Sequence, residues 1–103
     1  MGDCTVSLVK IRGYYDSKGA RVVEGIFDVT MSNSYSTGGD TLDLSAYFQS
    51  IDVIQIETPV CGSYLLEVDR SSGKVKAYSG VGTEVGSGTD LSSVSFRIRV
   101  IGV

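Results

Sequence analysis

Two pairs of carboxylates are the closest approach in this sequence to a catalytic arrangement: Asp40 with Asp43, and Glu67 with Asp69. Paired carboxylates can serve as acid and base in glycoside hydrolysis. Glu67 and Asp69 are two residues apart in a β-rich run, so they share one strand face, and a solvated polar face is the commoner explanation. The sequence has no histidine, which removes the commonest general base. We therefore predict that the protein is not an enzyme and has no catalytic residue.

Residues 35–44, YSTGGDTLDL, place a double glycine beside acidic and hydroxyl side chains. Asp40 and Asp43 offer hard oxygen atoms to calcium, but the alternating acids and final glutamate of a helix–loop–helix site are missing. Gly38 and Gly39 are not followed by Lys-Ser/Thr or by a helix, as a phosphate cradle requires. The pattern predicts a chain reversal with a positive φ at Gly38 or Gly39, and neither a metal nor another cofactor.

Tyrosine and cysteine are the remaining residue types that could carry a function. Tyr14 and Tyr15 adjoin a predicted turn, and Tyr35 and Tyr47 flank the double glycine. Tyrosines bind sugars and populate interfaces, although half-buried strand-end tyrosines are commoner. The N-terminal sequence lacks a secretory-signal pattern. The only two cysteines, Cys4 and Cys61, are therefore predicted to be free thiols that pack as small hydrophobes.

Alternating apolar residues predict the elements that carry these side chains. The strongest pattern is in residues 94–103, where Val94, Phe96, Ile98 and Val100 share one face, and residues 22–32 repeat it around Phe27 with a bulge or close backbone approach expected at Gly25. Further strands are predicted in residues 5–15, 51–57 and 63–69. Residues 69–74, which end in Gly73 and Lys74, predict a hairpin turn, and residues 45–50 predict a turn or one helical turn.

The predicted fold is all-β: a single antiparallel β-sandwich or jelly-roll-like β-barrel of six to eight strands with at most one short helical turn. One domain is expected to occupy residues 1–103, with residues 1–7 as a candidate extended arm. The net charge of −3 disfavours a nucleic-acid partner, and no apolar run is long enough for a membrane span.

Three motifs occur in order along residues 26–103: S-Y-x-T-G-G-[DE]-x-L from Ser34, D-x-x-x-G-K-[IV]-x-A-[YF] from Asp69, and T-D-L-S-x-[VL]-x-[FV]-R-x-x-x-x-G from Thr89. This succession resembles small virion structural proteins of tailed bacteriophages, and among them most closely capsid decoration, or cement, proteins. The resemblance implies a protein made in the host bacterial cytoplasm and located on the capsid surface. Its implied partner is the major capsid protein, which it would bind as a homotrimer from outside the head.

Partner contacts under this resemblance are expected in elements that the core does not need. We expect them in residues 2–7, which could add a strand to a capsid sheet edge, and in residues 35–40. The candidate contact residues are Cys4, Thr5, Val6, Tyr35, Thr37 and Asp40. Two alternatives stay open: a tail or neck component of the virion, and a carbohydrate-binding β-sandwich that uses exposed tyrosines.

Overall fold

The structure is a computed structural model that describes residues 2–80 and 82–103. These residues contain nine strands: β1 (Thr5–Tyr15), β2 (Arg21–Thr30), β3 (Asp40–Thr41), β4 (Ile51–Ile56), β5 (Val60–Cys61), β6 (Tyr64–Asp69), β7 (Lys74–Gly80), β8 (Thr83–Glu84) and β9 (Ser95–Gly102). In the described residues there is no helix, and hence none of a length and hydrophobicity that would cross a membrane.

The strands form two antiparallel sheets that pack in the manner of a sandwich, which confirms the predicted fold class. The four-stranded sheet has the order β1-β2-β9-β4. The five-stranded sheet has the order β3-β7-β6-β5, with β8 also paired to β7. The described chain has nine strands instead of six to eight because β3, β5 and β8 are two residues long, and pairings this short leave no period in a sequence.

The core lies between the sheets and is built from the two alternating patterns. In β2 and β9 every second residue is buried, and Phe27 and Ile98 are among the fully buried ones. The five-stranded sheet supplies Leu66, Val75 and Ala77 from its two longest strands. The apolar stripes identified in residues 22–32 and 94–103 are therefore confirmed as the core-facing side of the four-stranded sheet.

The connection before β4 closes one end of this core with aromatic side chains. Residues 45–47 form a turn in which the amides of Tyr47 and Phe48 both donate to the carbonyl of Leu44. The Phe27 ring lies 5.0 Å from the Tyr47 ring and 6.0 Å from the Phe48 ring, centroid to centroid. The turn expected in residues 45–50 is thus present, and it carries aromatic rings into the core.

Gly25 sits where the ring of Phe27 covers the backbone of β2. A Cβ atom at Gly25 would lie 2.6 Å from the Phe27 ring, so any other residue at this position would displace the ring. This is the close backbone approach expected at Gly25. The bulge lies instead in the neighbouring strand, where Val9 is the extra residue between Leu8 and Lys10.

β1 is an edge strand that the core leaves largely uncovered. All of its residues from Ser7 to Tyr15 are exposed, although Leu8 pairs with the buried Phe27 and therefore points to the core-facing side. The molecule is correspondingly long, with principal extents of 45 × 24 × 22 Å. The hairpin formed by β1 and β2 therefore exposes apolar side chains.

Candidate functional site

The double glycine reverses the chain as expected. The turn is closed by a 2.9 Å hydrogen bond from the Gly39 amide to the Ser36 carbonyl. The φ angles are +95° at Gly38 and +116° at Gly39, and Gly73 in the β6–β7 hairpin also has a positive φ. A Cβ atom at Gly39 would lie 2.9 Å from Cβ of Lys74, whereas one at Gly38 would meet open space. The predicted backbone role of these glycines is confirmed, and Gly39 is the more constrained of the pair.

Asp40 is completely buried, and its carboxylate holds the preceding loop together. It accepts hydrogen bonds from the Ser32 amide at 3.0 Å, the Ser32 hydroxyl at 2.7 Å and the Ser36 amide at 3.0 Å. Three donors within one loop satisfy a buried carboxylate without any ligand. The side chain of Asp40 is thus committed to the loop that leads into β3.

Tyr35 anchors the same loop to the five-stranded sheet. Its hydroxyl donates to the Glu84 carboxylate at 2.6 Å and accepts from the Ala77 amide at 3.2 Å. Glu84 also accepts from the Gly38 amide at 2.8 Å. Burial, followed by the bond to Glu84, raises the pKa of Tyr35, while the Tyr35 hydroxyl and then the Gly38 amide lower the pKa of Glu84. The neutral Tyr35 hydroxyl is thus the donor, and the charged Glu84 carboxylate the acceptor, of a hydrogen bond beneath the turn.

The start of the chain runs alongside this loop before it enters β1. The Gly2 amide donates to the Ser36 hydroxyl at 2.8 Å, and the Cys4 amide donates to the Thr41 carbonyl at 2.8 Å. Asp3 forms a parallel bridge with Thr41. Of the candidate arm in residues 1–7, residues 2–4 therefore contact the loop and β3, residues 5–7 belong to β1, and residue 1 lies outside the described residues.

The candidate contact residues differ in what they expose. Tyr35 and Asp40 are buried, Cys4 and Val6 are half-buried, and Thr5 and Thr37 are exposed. Thr5 lines a polar cleft of about 370 Å³ together with Asp3, Thr30, Met31, Ser32, Asn33 and Ser92. The end of the sandwich around Thr5 therefore exposes hydrogen-bonding groups.

The environment of Cys4 disfavours its thiolate form. Burial, with additional repulsion from the charges of Asp40 and Asp3, raises the pKa of Cys4 to about 12. Its Sγ atom lies 3.9 Å from Sδ of Met31. Cys4 and Cys61 are both free, as the sequence predicted.

One member of each carboxylate pair, Asp43 and Asp69, forms a turn. Asp43 accepts from the Ser45 amide, and Asp69 accepts from the amide and the hydroxyl of Ser71. These serine contacts, the hydroxyls first, lower the pKa of both aspartates. No group of three or more metal-ligating side chains occurs among residues 2–80 and 82–103. Asp43 and Asp69 therefore shape the turns that follow them.

The solvent-facing side of the four-stranded sheet carries a row of ion pairs. Glu24 contacts both Arg12 and Arg99, and Arg97 meets Asp28 at 2.8 Å. Arg99 and then Arg12 lower the pKa of Glu24 by hydrogen bonding. The side chains of Arg97 and Arg99 also line a groove of about 560 Å³ between β9 and β4. Arg97 is paired with Asp28, whereas Arg99 shares the carboxylate of Glu24 with Arg12.

The apolar surface of β1 is an exposed feature that the sequence did not predict. The exposed fractions are 41% for Leu8, 46% for Val9, 38% for Ile11 and 73% for Tyr15. The sequence contains one signal of it, since the adjacent Leu8 and Val9 break the alternation that a half-buried strand requires. The opposite edge strand, β4, exposes Val53 as well.

The fold and these surfaces define a two-sheet antiparallel β-sandwich with open, partly apolar sheet edges. No family model, no curated protein sequence and no solved structure matches this chain.

Proposed function

We propose that the protein is a bacteriophage capsid decoration protein, which binds the outside of the assembled head as a homotrimer and ties neighbouring major capsid subunits together. The observation that carries the proposal is the long exposed strand β1, whose Leu8, Val9 and Ile11 lie on the surface. Exposed apolar area on a small domain is typical of a protein-binding surface. The partner that we propose, the major capsid protein, is chosen because the order of the three sequence motifs resembles that of capsid decoration proteins.

The end of the sandwich around Thr5 is the surface that we assign to the capsid. Thr5 and Thr37 are exposed there, and the cleft beside Thr5 is polar. Ordered polar groups at such an end can bind the backbone of a capsid loop or strand. A trimer would repeat each of these contacts three times on a symmetric shell, which raises the effective concentration of the later contacts.

Cosedimentation with expanded, undecorated shells of the same phage tests this function. Wild-type protein should bind at a fixed ratio to the major capsid protein and raise the rupture temperature of the shell. Thr5→Arg should weaken binding, because a long charged side chain would fill the polar cleft. Ser17→Arg, an exposed position in the turn at the far end of β1, is the matched control and should bind normally. Failure of the wild-type protein to bind any shell intermediate would reject the assignment.

A carbohydrate-binding function is the second candidate, and it rests on the hairpin tip. Tyr15 is 73% exposed and Tyr14 is 39% exposed beside the β1–β2 turn. Retention on a polysaccharide resin tests it, with Tyr15→Ser as the variant that should lose retention. A tail or neck location is the third alternative, and labelling of intact virions separates it from decoration.

A further inference from the structure

The free edge of β1 presents backbone groups that a neighbouring strand can pair with. Among the described residues β1 pairs only with β2. The Asp16 amide donates to the Ala20 carbonyl, which directs Asp16 toward β2. Backbone groups alternate in direction along an antiparallel strand, so those of Ile11, Gly13 and Tyr15 point away from β2. The bulge at Val9 limits this regular edge to the second half of β1.

The free edge of β4 is the matching half. The Glu57 amide donates to the Arg97 carbonyl, so Glu57 and Gln55 direct their backbone groups toward β9. Ile54 and Ile56 therefore direct theirs outward. A bulge between Ile51 and Val53 shifts this alternation by one residue, and the Arg70 side chain donates to the Ile51 carbonyl at 3.2 Å. Arg70 covers the start of this edge, and residues 54–56 stay open.

The charges of the two edges are opposite. β1 contains Lys10 and Arg12 and no acidic residue, whereas residues 51–57 contain Asp52 and Glu57 and no basic residue. Arg12 already contacts Glu24, and the charge of Glu57 acts on the nearby Arg97, but neither Lys10 nor Glu57 forms a direct ion pair within the described part of the chain. Opposite charges on the two open edges favour pairing of β1 with β4. They disfavour pairing of β1 with a second β1, or of β4 with a second β4.

We propose that β1 of one copy pairs with β4 of a second copy, so that the four-stranded sheets of neighbouring copies join. The two strands run in opposite directions within one sheet, so copies placed side by side meet in antiparallel order. Pairing Ile11 with Ile56, and Gly13 with Ile54, matches the outward backbone groups on both sides. This register also places Lys10 opposite Glu57 on the solvent-facing side and keeps Ile11 and Ile56 on the core-facing side.

Other registers with the same backbone parity are poorer. If β1 is moved by two residues in one direction, Ile11 pairs with Thr58, which lies beyond the end of β4. Lys10 then pairs with Pro59. Moving it the other way removes Lys10 from Glu57 and brings the bulged Val9 to Ile56. The contact is head to tail, and such contacts produce rings when the rotation closes. Closure at three copies rests on the proposed decoration function, while the contact itself does not.

Charge exchange between Lys10 and Glu57 tests the contact with the full chain and without capsids. Analytical ultracentrifugation should show self-association of the wild-type protein. Lys10→Glu and Glu57→Lys should each weaken it by about tenfold, because like charges then oppose each other. The double variant Lys10→Glu/Glu57→Lys should recover most of that loss. Lys18→Glu, in the exposed hairpin turn, is the matched control and should not weaken association.

Carbodiimide cross-linking of the unaltered protein is a second measurement that does not depend on the folding of a variant. A mixture of isotopically labelled and unlabelled chains should give a Lys10–Glu57 cross-link between the two kinds of chain. A wild-type protein that stays monomeric, single variants that the double variant does not rescue, or a mixed-isotope cross-link of Lys10 to residues other than those of β4 would overturn the proposal. Intact self-association without shell binding would reject the decoration function and leave this contact standing.

Discussion

The Tyr35 hydroxyl donates a 2.6 Å hydrogen bond to Glu84, and this bond connects the double-glycine loop to β8 across 49 residues of sequence. The loop is therefore a structural clamp in which Tyr35, Glu84 and Asp40 are all used internally. These three side chains are therefore not available to a partner.

Tyr35→Phe should destabilise the protein by about 1–3 kcal/mol, because it leaves the buried Ala77 amide without an acceptor. The measurement is urea-induced unfolding at one fixed protein concentration, since self-association would shift the midpoint. Tyr78→Phe removes a longer, exposed bond to Glu67 at 3.3 Å and is the control that should change little. Equal effects of the two substitutions would contradict the clamp.

Gly39→Ala should cost more stability than Gly38→Ala. Both residues have positive φ, so each alanine suffers backbone strain of about 1–2 kcal/mol. At Gly39 the added Cβ would also approach Lys74 Cβ at 2.9 Å and the Val75 carbonyl oxygen at 3.0 Å, which adds about 1–3 kcal/mol of overpacking. Chemical unfolding of the two variants gives the comparison. An equal loss of unfolding free energy in the two variants would show that backbone strain alone, without overpacking, sets the cost.

Acid should weaken the clamp through Glu84. Its pKa is lowered from 4.5 in the folded protein, so the unfolded chain binds the proton more readily. The stabilising contribution is complete above about pH 4.5 and is lost as the pH falls through the folded pKa. Unfolding free energies measured from pH 7 to pH 3 should therefore decline less in Glu84→Gln than in the wild type.

Tyr35→Phe should flatten the same acid decline, because the Tyr35 hydroxyl is the largest cause of the lowered pKa of Glu84. The double variant Tyr35→Phe/Glu84→Gln should decline no less than Glu84→Gln alone, since both substitutions act on one contact. An unchanged acid decline in Glu84→Gln would mean that other carboxylates carry the whole effect.

Cys4 should react with iodoacetamide at pH 8 at least about a hundredfold more slowly in the folded protein than in urea, because its raised pKa of about 12 leaves little thiolate. Mass spectrometry of the alkylated peptides follows each cysteine separately. Reaction of Cys4 at the rate of an unfolded thiol would contradict its burial between β1 and Met31.

The sequence predicted the fold class and the buried faces of β2 and β9. Both strands are covered by the core along their length, so every apolar residue of their alternating pattern is also a buried residue. The sequence also predicted the turns at Gly38, Gly39 and Gly73, because glycine adopts the positive φ angles that such turns require. The exposure of Leu8 and Ile11 was not predictable in this way, since it depends on how far the opposite sheet extends. The burial of Tyr35 likewise depends on Glu84 and Ala77, and that of Asp40 on the pairing of β3 with Val75, all distant in sequence.

Difference imaging of the virion tests the central claim most directly. Cryo-electron microscopy of virions with and without the gene for this protein should show added density at three-fold or quasi-three-fold positions on the outside of the head. Within that density, neighbouring copies should meet through β1 and β4, with the Thr5 end toward the capsid. Density confined to the neck or tail, or no density on the particle, would contradict the account.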